Sequence, residues 1–154
     1  MGNDTGVTGI SASSKLQVGQ EKTYRVQKDA MAEFGDLKGT RRGAYALNDS
    51  TVIWFPTLTQ SEDDIANRGY GGIEKDGGKT IIEIAADEKR LDRILKGRGS
   101  PRIAFPRHKG EDYRFAGLYK FDRVDKPNRR VIWKRISTEI GTNDYPVVKG
   151  EGKQ

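Results

Sequence analysis

Cysteine is absent and histidine occurs once, at position 108, in a chain of 154 residues. The first absence excludes disulfides, thiolate zinc sites and cysteine nucleophiles, and fits a reducing compartment. The second excludes zinc sites built from several histidines and forces any histidine-based acid–base mechanism through His108. Long apolar runs are missing too: Val52-Ile-Trp-Phe-Pro56 is far too short to span a bilayer. The opening residues lack a charged segment followed by an apolar one. The expectation is a soluble, cytoplasmic protein with no membrane partner. With 34% hydrophobic and 32% charged residues, there is material for one modest core beneath a large polar surface.

Lys and Arg number 28 against 22 Asp and Glu, a net charge of +6, which favours a polyanionic partner. The charge is unevenly placed. Between Lys89 and Arg135, 47 residues carry 16 Lys/Arg and 5 Asp/Glu, a balance of +11, whereas the rest of the chain is net negative. Phe105, Tyr113, Phe115, Tyr119, Phe121 and Trp133 are interleaved with those cations, so the stretch reads as a folded basic surface rather than a disordered tail.

Residues 1–20 are rich in Gly, Ser and Thr without periodicity, and 149–154 are similarly polar. Both read as flexible ends around one domain, 21–148. Within it, Lys28–Asp36 has helical spacing. Arg42–Leu47 and Thr51–Phe55 read as a hairpin around Asn48-Asp49-Ser50. Glu62–Asn67 suits a helical turn. Arg68–Gly72 and Lys75–Gly78 read as two glycine-rich loops, and Lys79–Ala85 as a β-branched strand. Asp87–Lys96 has an amphipathic pattern, with Asp87 at its start and Gly97 at its end. Arg102–Pro106 is a short strand. Tyr113–Asp122 alternates with period two, placing Tyr113, Phe115, Gly117, Tyr119 and Phe121 on one face. After a turn at Asp125–Asn128, Arg129–Ile136 returns with Val131 and Trp133 on one face and Ile132, Lys134 and Ile136 on the other. The fold class expected is α+β and β-rich: a half-open barrel of five to six mostly antiparallel strands with two or three short helices.

Several chemistries fail on inventory. Gly78-Lys79-Thr80 ends like a phosphate-binding loop, but Ile73 stands where its leading glycine belongs. Asp76 and Glu83 have the separation of a magnesium-dependent nuclease site, but Ala85 stands where its lysine belongs. His108 lies between cations in Pro106-Arg-His-Lys-Gly110, better suited to touching phosphate than to general-base work.

What remains is Ser61-Glu-Asp-Asp-Ile-Ala-Asn-Arg-Gly-Tyr-Gly-Gly72, then Phe115-Ala-Gly-Leu-Tyr-Lys120 and Trp133-Lys-Arg135. This order resembles the SRA (SET- and RING-associated, or YDG) domains of the PUA-like group. There an acidic turn and a glycine loop precede a Tyr-Asp-Gly strand and a closing Trp-Arg strand. Here Phe115 and Ala116 replace the Tyr and Asp. The resemblance implies a non-catalytic reader, without cofactor or metal, that binds double-stranded DNA. It would flip out a methylated or hydroxymethylated cytosine, in a restriction system and beside a nuclease subunit or domain. Extruding a base costs a few kcal/mol, which stacking and edge hydrogen bonds must return. The implied base pocket draws on Trp54 or Tyr70 for stacking, Asp63 or Asp64 to accept from the N4 amine, and Gly71 and Gly72 for close approach. The implied phosphate contacts are Arg41, Arg42, Arg98, Arg102, Arg107 and Lys109. Each residue also has a plainer role: Trp54 as core, Asp63 and Asp64 as a helix cap, Gly71 and Gly72 as a turn. The alternatives to a DNA reader are a protein-interaction module whose basic face meets an acidic protein, or a small magnesium-dependent nuclease.

Overall fold

A computed structural model describes residues 15–35, 44–47, 50–59 and 70–145. The chain begins with β1 (Lys15–Gln17) and α1 (Gln27–Met31), followed by β2 (Ala44–Ala46), β3 (Val52–Trp54), β4 (Thr57–Leu58), β5 (Tyr70–Lys75) and β6 (Thr80–Ala85). Helix α2 (Glu88–Lys96) leads to β7 (Arg102–Ala104), β8 (Arg107–His108), β9 (Gly117–Asp125), β10 (Arg130–Ser137) and β11 (Glu139–Gly141). Among the described residues no helix is long and apolar enough to cross a membrane.

The β-rich α+β architecture expected from the sequence is present, and its curvature comes from two bent segments. Residues 52–58 and 102–108 run side by side in parallel, with one register offset held from Val52–Arg102 to Leu58–His108. Phe105 N–H donates to Trp54 O at 2.8 Å and Arg107 N–H to Pro56 O at 3.1 Å, so the ladder passes through the bend. The first halves continue the sheet through β9, β10 and β6, and the second halves meet β5 from the other side. A short seam joins the two ends, where Leu58 faces Gly72 and Thr59 N–H donates to Gly72 O at 2.8 Å.

Alternation along each strand then divides two cores. Trp54, Leu58, Ile81, Ala85, Ala104, Tyr119, Val131 and Trp133 fill the barrel, with Leu91 of α2 packed into the same cluster. Ile53, Phe55, Ile103 and Phe105 point the other way, onto a second layer with Leu16, Tyr24, Met31, Tyr45 and Ile140. Helix α2 matches its sequence pattern: the Asp87 side chain accepts from Arg90 N–H at 2.9 Å, and Gly97 ends it. That backbone hydrogen bond is the chief cause holding the Asp87 carboxyl below its ordinary pKa.

Several expectations are corrected. Within the segment 1–20, Lys15–Gln17 forms a strand that pairs antiparallel with β11, with Leu16 buried in the same cluster as Ile140. Residues 1–14 and 146–154 lie outside the described residues, as does the turn expected at Glu62–Asn67. Helix α1 is a short helix with a turn through Phe34, shorter than Lys28–Asp36. The second glycine loop is present as a turn at Asp76–Gly78, whereas the described part of the first belongs to β5, which pairs with β6 from Tyr70–Ala85 to Lys75–Thr80; Arg68 and Gly69 lie outside the described residues. The long strand begins at Gly117 rather than Tyr113, which makes only an isolated bridge to Tyr24. Gly117 has φ +122°, a conformation that breaks the alternation before it. Tyr113 and Phe115 therefore enter one core while Tyr119, expected on their face, enters the other. On β10, Ile132 is buried like its neighbours Val131 and Trp133, because the outer sheet face carries its own cluster of Ile82, Ile84 and Ile132.

Tyr119 gives the fold an alkaline limit. Its hydroxyl donates to Gly78 O and to Ala116 O, and burial pushes its pKa up from 10.0 to about 12. The folded state therefore holds this proton more tightly than the unfolded chain does. The resulting stabilisation is complete below about pH 10 and lost as the pH rises through about 12. Tyr119→Phe is expected to flatten the fall in Tm over that interval, and an equally steep fall would remove Tyr119 from the account.

Candidate nucleic-acid interface

The glycines implicated in the pocket sit in strand β5. Gly72 lies at the seam, opposite Leu58 on one side and Glu83 on the other. A Cβ there would meet Leu58 Cδ2 at 3.5 Å and Ile82 O at 3.6 Å, ordinary contacts, and its φ is not of the kind reserved for glycine. Neither backbone conformation nor crowding among the described residues therefore demands glycine at 72. The backbone of Tyr70 pairs with Ala85, which sets the start of β5 beside the end of β6. Asp63, Asp64, Arg41 and Arg42 lie outside the described residues.

Trp54 does not present a free face for stacking. It is 2% exposed, with the Trp133 ring 5.5 Å away and the Tyr119 ring at 6.4 Å. Its position on β3 turns it into the barrel, which corrects the expectation of a stacking role in favour of the plainer one, core. Arg102 is corrected in the same way: it is 7% exposed and points inward from β7, where a phosphate does not reach it.

Inside the barrel Arg102 meets Glu83. Nη1 of Arg102 lies 3.4 Å from Glu83 Oε1, and the same oxygen accepts from Trp133 Nε1 at 2.8 Å. The guanidinium lies over both indoles, 4.1 Å from the Trp133 centroid and 4.9 Å from that of Trp54. Among the described residues Glu83 and Arg102 are the two buried charged side chains. Burying both ions is tolerable because each neutralises the other and the indoles take the guanidinium faces. Arg102 Nε nevertheless has no hydrogen-bond partner among the described residues. Sequence reading noted Glu83 only as half of a weak nuclease pattern. The missed signal was its phase: it shares a strand face with Ile81 and Ala85, so it had to enter the core with a cationic partner.

Among the described residues the remaining cations come from different elements. Arg98 is exposed after α2, donates to Leu95 O at 2.8 Å and has its guanidinium 5.8 Å from the Phe121 centroid. Lys109 is exposed beyond β8. Arg107 is half-buried and stacked on Tyr113 at 4.4 Å. A grouping not foreseen lies on the outer sheet face, where exposed Lys120 and Lys134 stand directly opposite each other. Like charges so placed repel, and an anion relieves that repulsion. Lys134 also lines a cleft of about 650 Å³ with Lys79, Thr80, Arg135 and Ser137.

Comparisons with known proteins agree with this architecture. A comparison with curated proteins finds no match. Among solved structures, the 5-hydroxymethylcytosine-specific restriction enzyme AbaSI is similar, with 28% sequence identity and a TM-score of 0.65. The match covers 82% of this chain and 42% of the AbaSI chain, so this chain spans less than half of that enzyme's length. The profile of the SET and RING associated domain matches residues 12–142. With most of its length matched by that profile, around a barrel whose central strand opens at Gly117 and whose closing strand carries Trp133, the chain belongs to the SRA domain family.

Proposed function

We infer that this domain binds duplex DNA and selects a modified cytosine, methylated or hydroxymethylated, by taking the flipped base into a pocket beside Gly71 and Gly72. It serves as the recognition part of a restriction system whose cutting activity is carried by another domain or subunit. The observation that carries this reading is Gly72: a glycine that folding does not require, at the barrel seam. A missing side chain there lets a planar ligand approach the backbone closely. In this reading Tyr70 stacks on the base and Asp63 or Asp64 accepts from its N4 amine. Arg98, Arg107, Lys109, Arg41 and Arg42 contact phosphates, with Lys120 and Lys134 added from the sheet face. The resemblance to AbaSI supports the choice of modified cytosine as the target.

The test is a fluorescence-anisotropy titration, without magnesium, of matched duplexes carrying cytosine, 5-methylcytosine or 5-hydroxymethylcytosine at two salt concentrations. Tighter binding of one modified duplex at both salts is the expected result, since counterion release cannot separate duplexes of equal charge. Gly72→Ala is expected to keep its Tm and lose that preference by about tenfold, the scale of one methyl group in a fitted pocket. Equal, salt-sensitive binding of all three duplexes reduces the domain to a basic surface. No binding at all transfers the basic face to an acidic protein partner.

A further inference from the structure

The ion pair inside the barrel is an expensive way to fill space. An apolar pair of similar volume avoids the desolvation of both ions, and here the pair does not even satisfy Arg102 Nε. Its position gives it another use. Glu83 is the direct cross-strand partner of Gly72, so its Cβ stands on the same face of the sheet as the side chain that Gly72 lacks. Cross-strand Cβ atoms on one face are about 5 Å apart, which places the Glu83 stem beside the point of ligand approach. The carboxylate is held from two other strands, by Trp133 of β10 and Arg102 of β7. The guanidinium in turn lies over Trp54 of β3, on the segment whose far half, through Leu58, flanks Gly72 on its other side.

We propose that Glu83 and Arg102 are positioning residues for base selection: the buried pair sets the Gly72 rung of β5 against β6 and β4, and with it the depth of the pocket. The pair acts through the rung and touches neither phosphate nor base. It therefore governs discrimination between cytosine substituents and leaves general DNA affinity alone. This rests on the reader function inferred above.

The test uses the full chain with both charges removed together, Glu83→Gln with Arg102→Met. The variant keeps an acceptor for the Trp133 N–H and removes both charges of the Glu83–Arg102 pair together. Binding of the three duplexes and Tm are measured side by side. The expected result is a roughly tenfold fall in the preference for the modified duplex, with affinity for the unmodified duplex and its salt slope unchanged. Preference retained in the folded variant overturns the proposal, because a merely structural pair moves Tm alone. Should the variant not fold, the wild type answers directly. Its only two tryptophans, Trp54 and Trp133, both pack on Arg102, so a base seated at the Gly72 rung shifts their emission. At equal occupancy the modified duplex is expected to shift it and the unmodified duplex is not; identical emission for both overturns the proposal. A wild type that binds all duplexes equally overturns the reader function, and this inference falls with it. Wild-type preference that survives in the double variant overturns the positioning role alone.

Discussion

Alanine at position 117 is expected to cost about 3 to 5 kcal/mol, a large part of the 5–15 kcal/mol that holds a typical domain together. Two independent penalties combine. Gly117 has φ +122°, where a residue with a side chain is strained by about 1–3 kcal/mol. The added Cβ would also stand 2.5 Å from Arg135 Cδ and 2.6 Å from the Ser137 carbonyl oxygen. The arginine stem can swing aside, but the carbonyl belongs to β10, whose register against β9 carries the centre of the sheet. Relief requires parting those two strands. Urea denaturation of Gly117→Ala beside Gly72→Ala makes the contrast sharp, because the second substitution meets only ordinary contacts. A midpoint for Gly117→Ala within error of the wild type would show that the β9–β10 approach is not as close as described. The result bears on function, since Gly117 stands at the glycine of the motif by which the family resemblance was first visible.

Removing Arg102 alone is expected to cost a similar amount by a different route. Arg102→Met removes the guanidinium 3.4 Å from the Glu83 carboxylate, which is 3% exposed, and breaking a buried pair on one side costs about 3–5 kcal/mol. The indoles of Trp54 and Trp133 lose the guanidinium between them, worth about 2 kcal/mol when desolvated and already included in that range. Adding Glu83→Gln to Arg102→Met should recover most of the loss, because the buried carboxylate charge goes with the guanidinium's and the Trp133 N–H keeps an acceptor. A double-mutant cycle on urea midpoints measures this coupling. Additive single effects would mean that the two side chains act separately, contrary to the geometry of 3.4 Å between Nη1 and Oε1.

The two results bear on how much was legible beforehand. The hairpin of β2 and β3, the capped helix α2 and the β9–β10 hairpin all follow from local signals: β-branched runs, an Asp at a helix start, a Pro-Asn turn. Their partners are near in sequence, so local patterns suffice. The strand β5 was misread as loops because Gly69, Gly71 and Gly72 are turn residues by local preference. Pairing with β6 along the whole of Tyr70–Lys75 outweighs that preference. Arg102 was misread for a related reason. Ile103 and Phe105 supply one apolar face of its segment, so alternation sets Arg102 on the other face, which becomes interior only when the barrel closes over it.

The sequence by itself determined the fold class, the family and the chemistries that the absence of cysteine excludes, because each depends on composition or on residues close together in the chain. Only the tertiary structure decided which side chains lie inside. Strand faces are assigned by which segments become neighbours, and here 52–58 and 102–108 meet across a long separation and bend together to close the sheet. That closure carried Trp54 and Arg102 inward and brought Leu58 against Gly72 at the seam. Burial is a property of the closed barrel, and no stretch of chain contains it alone.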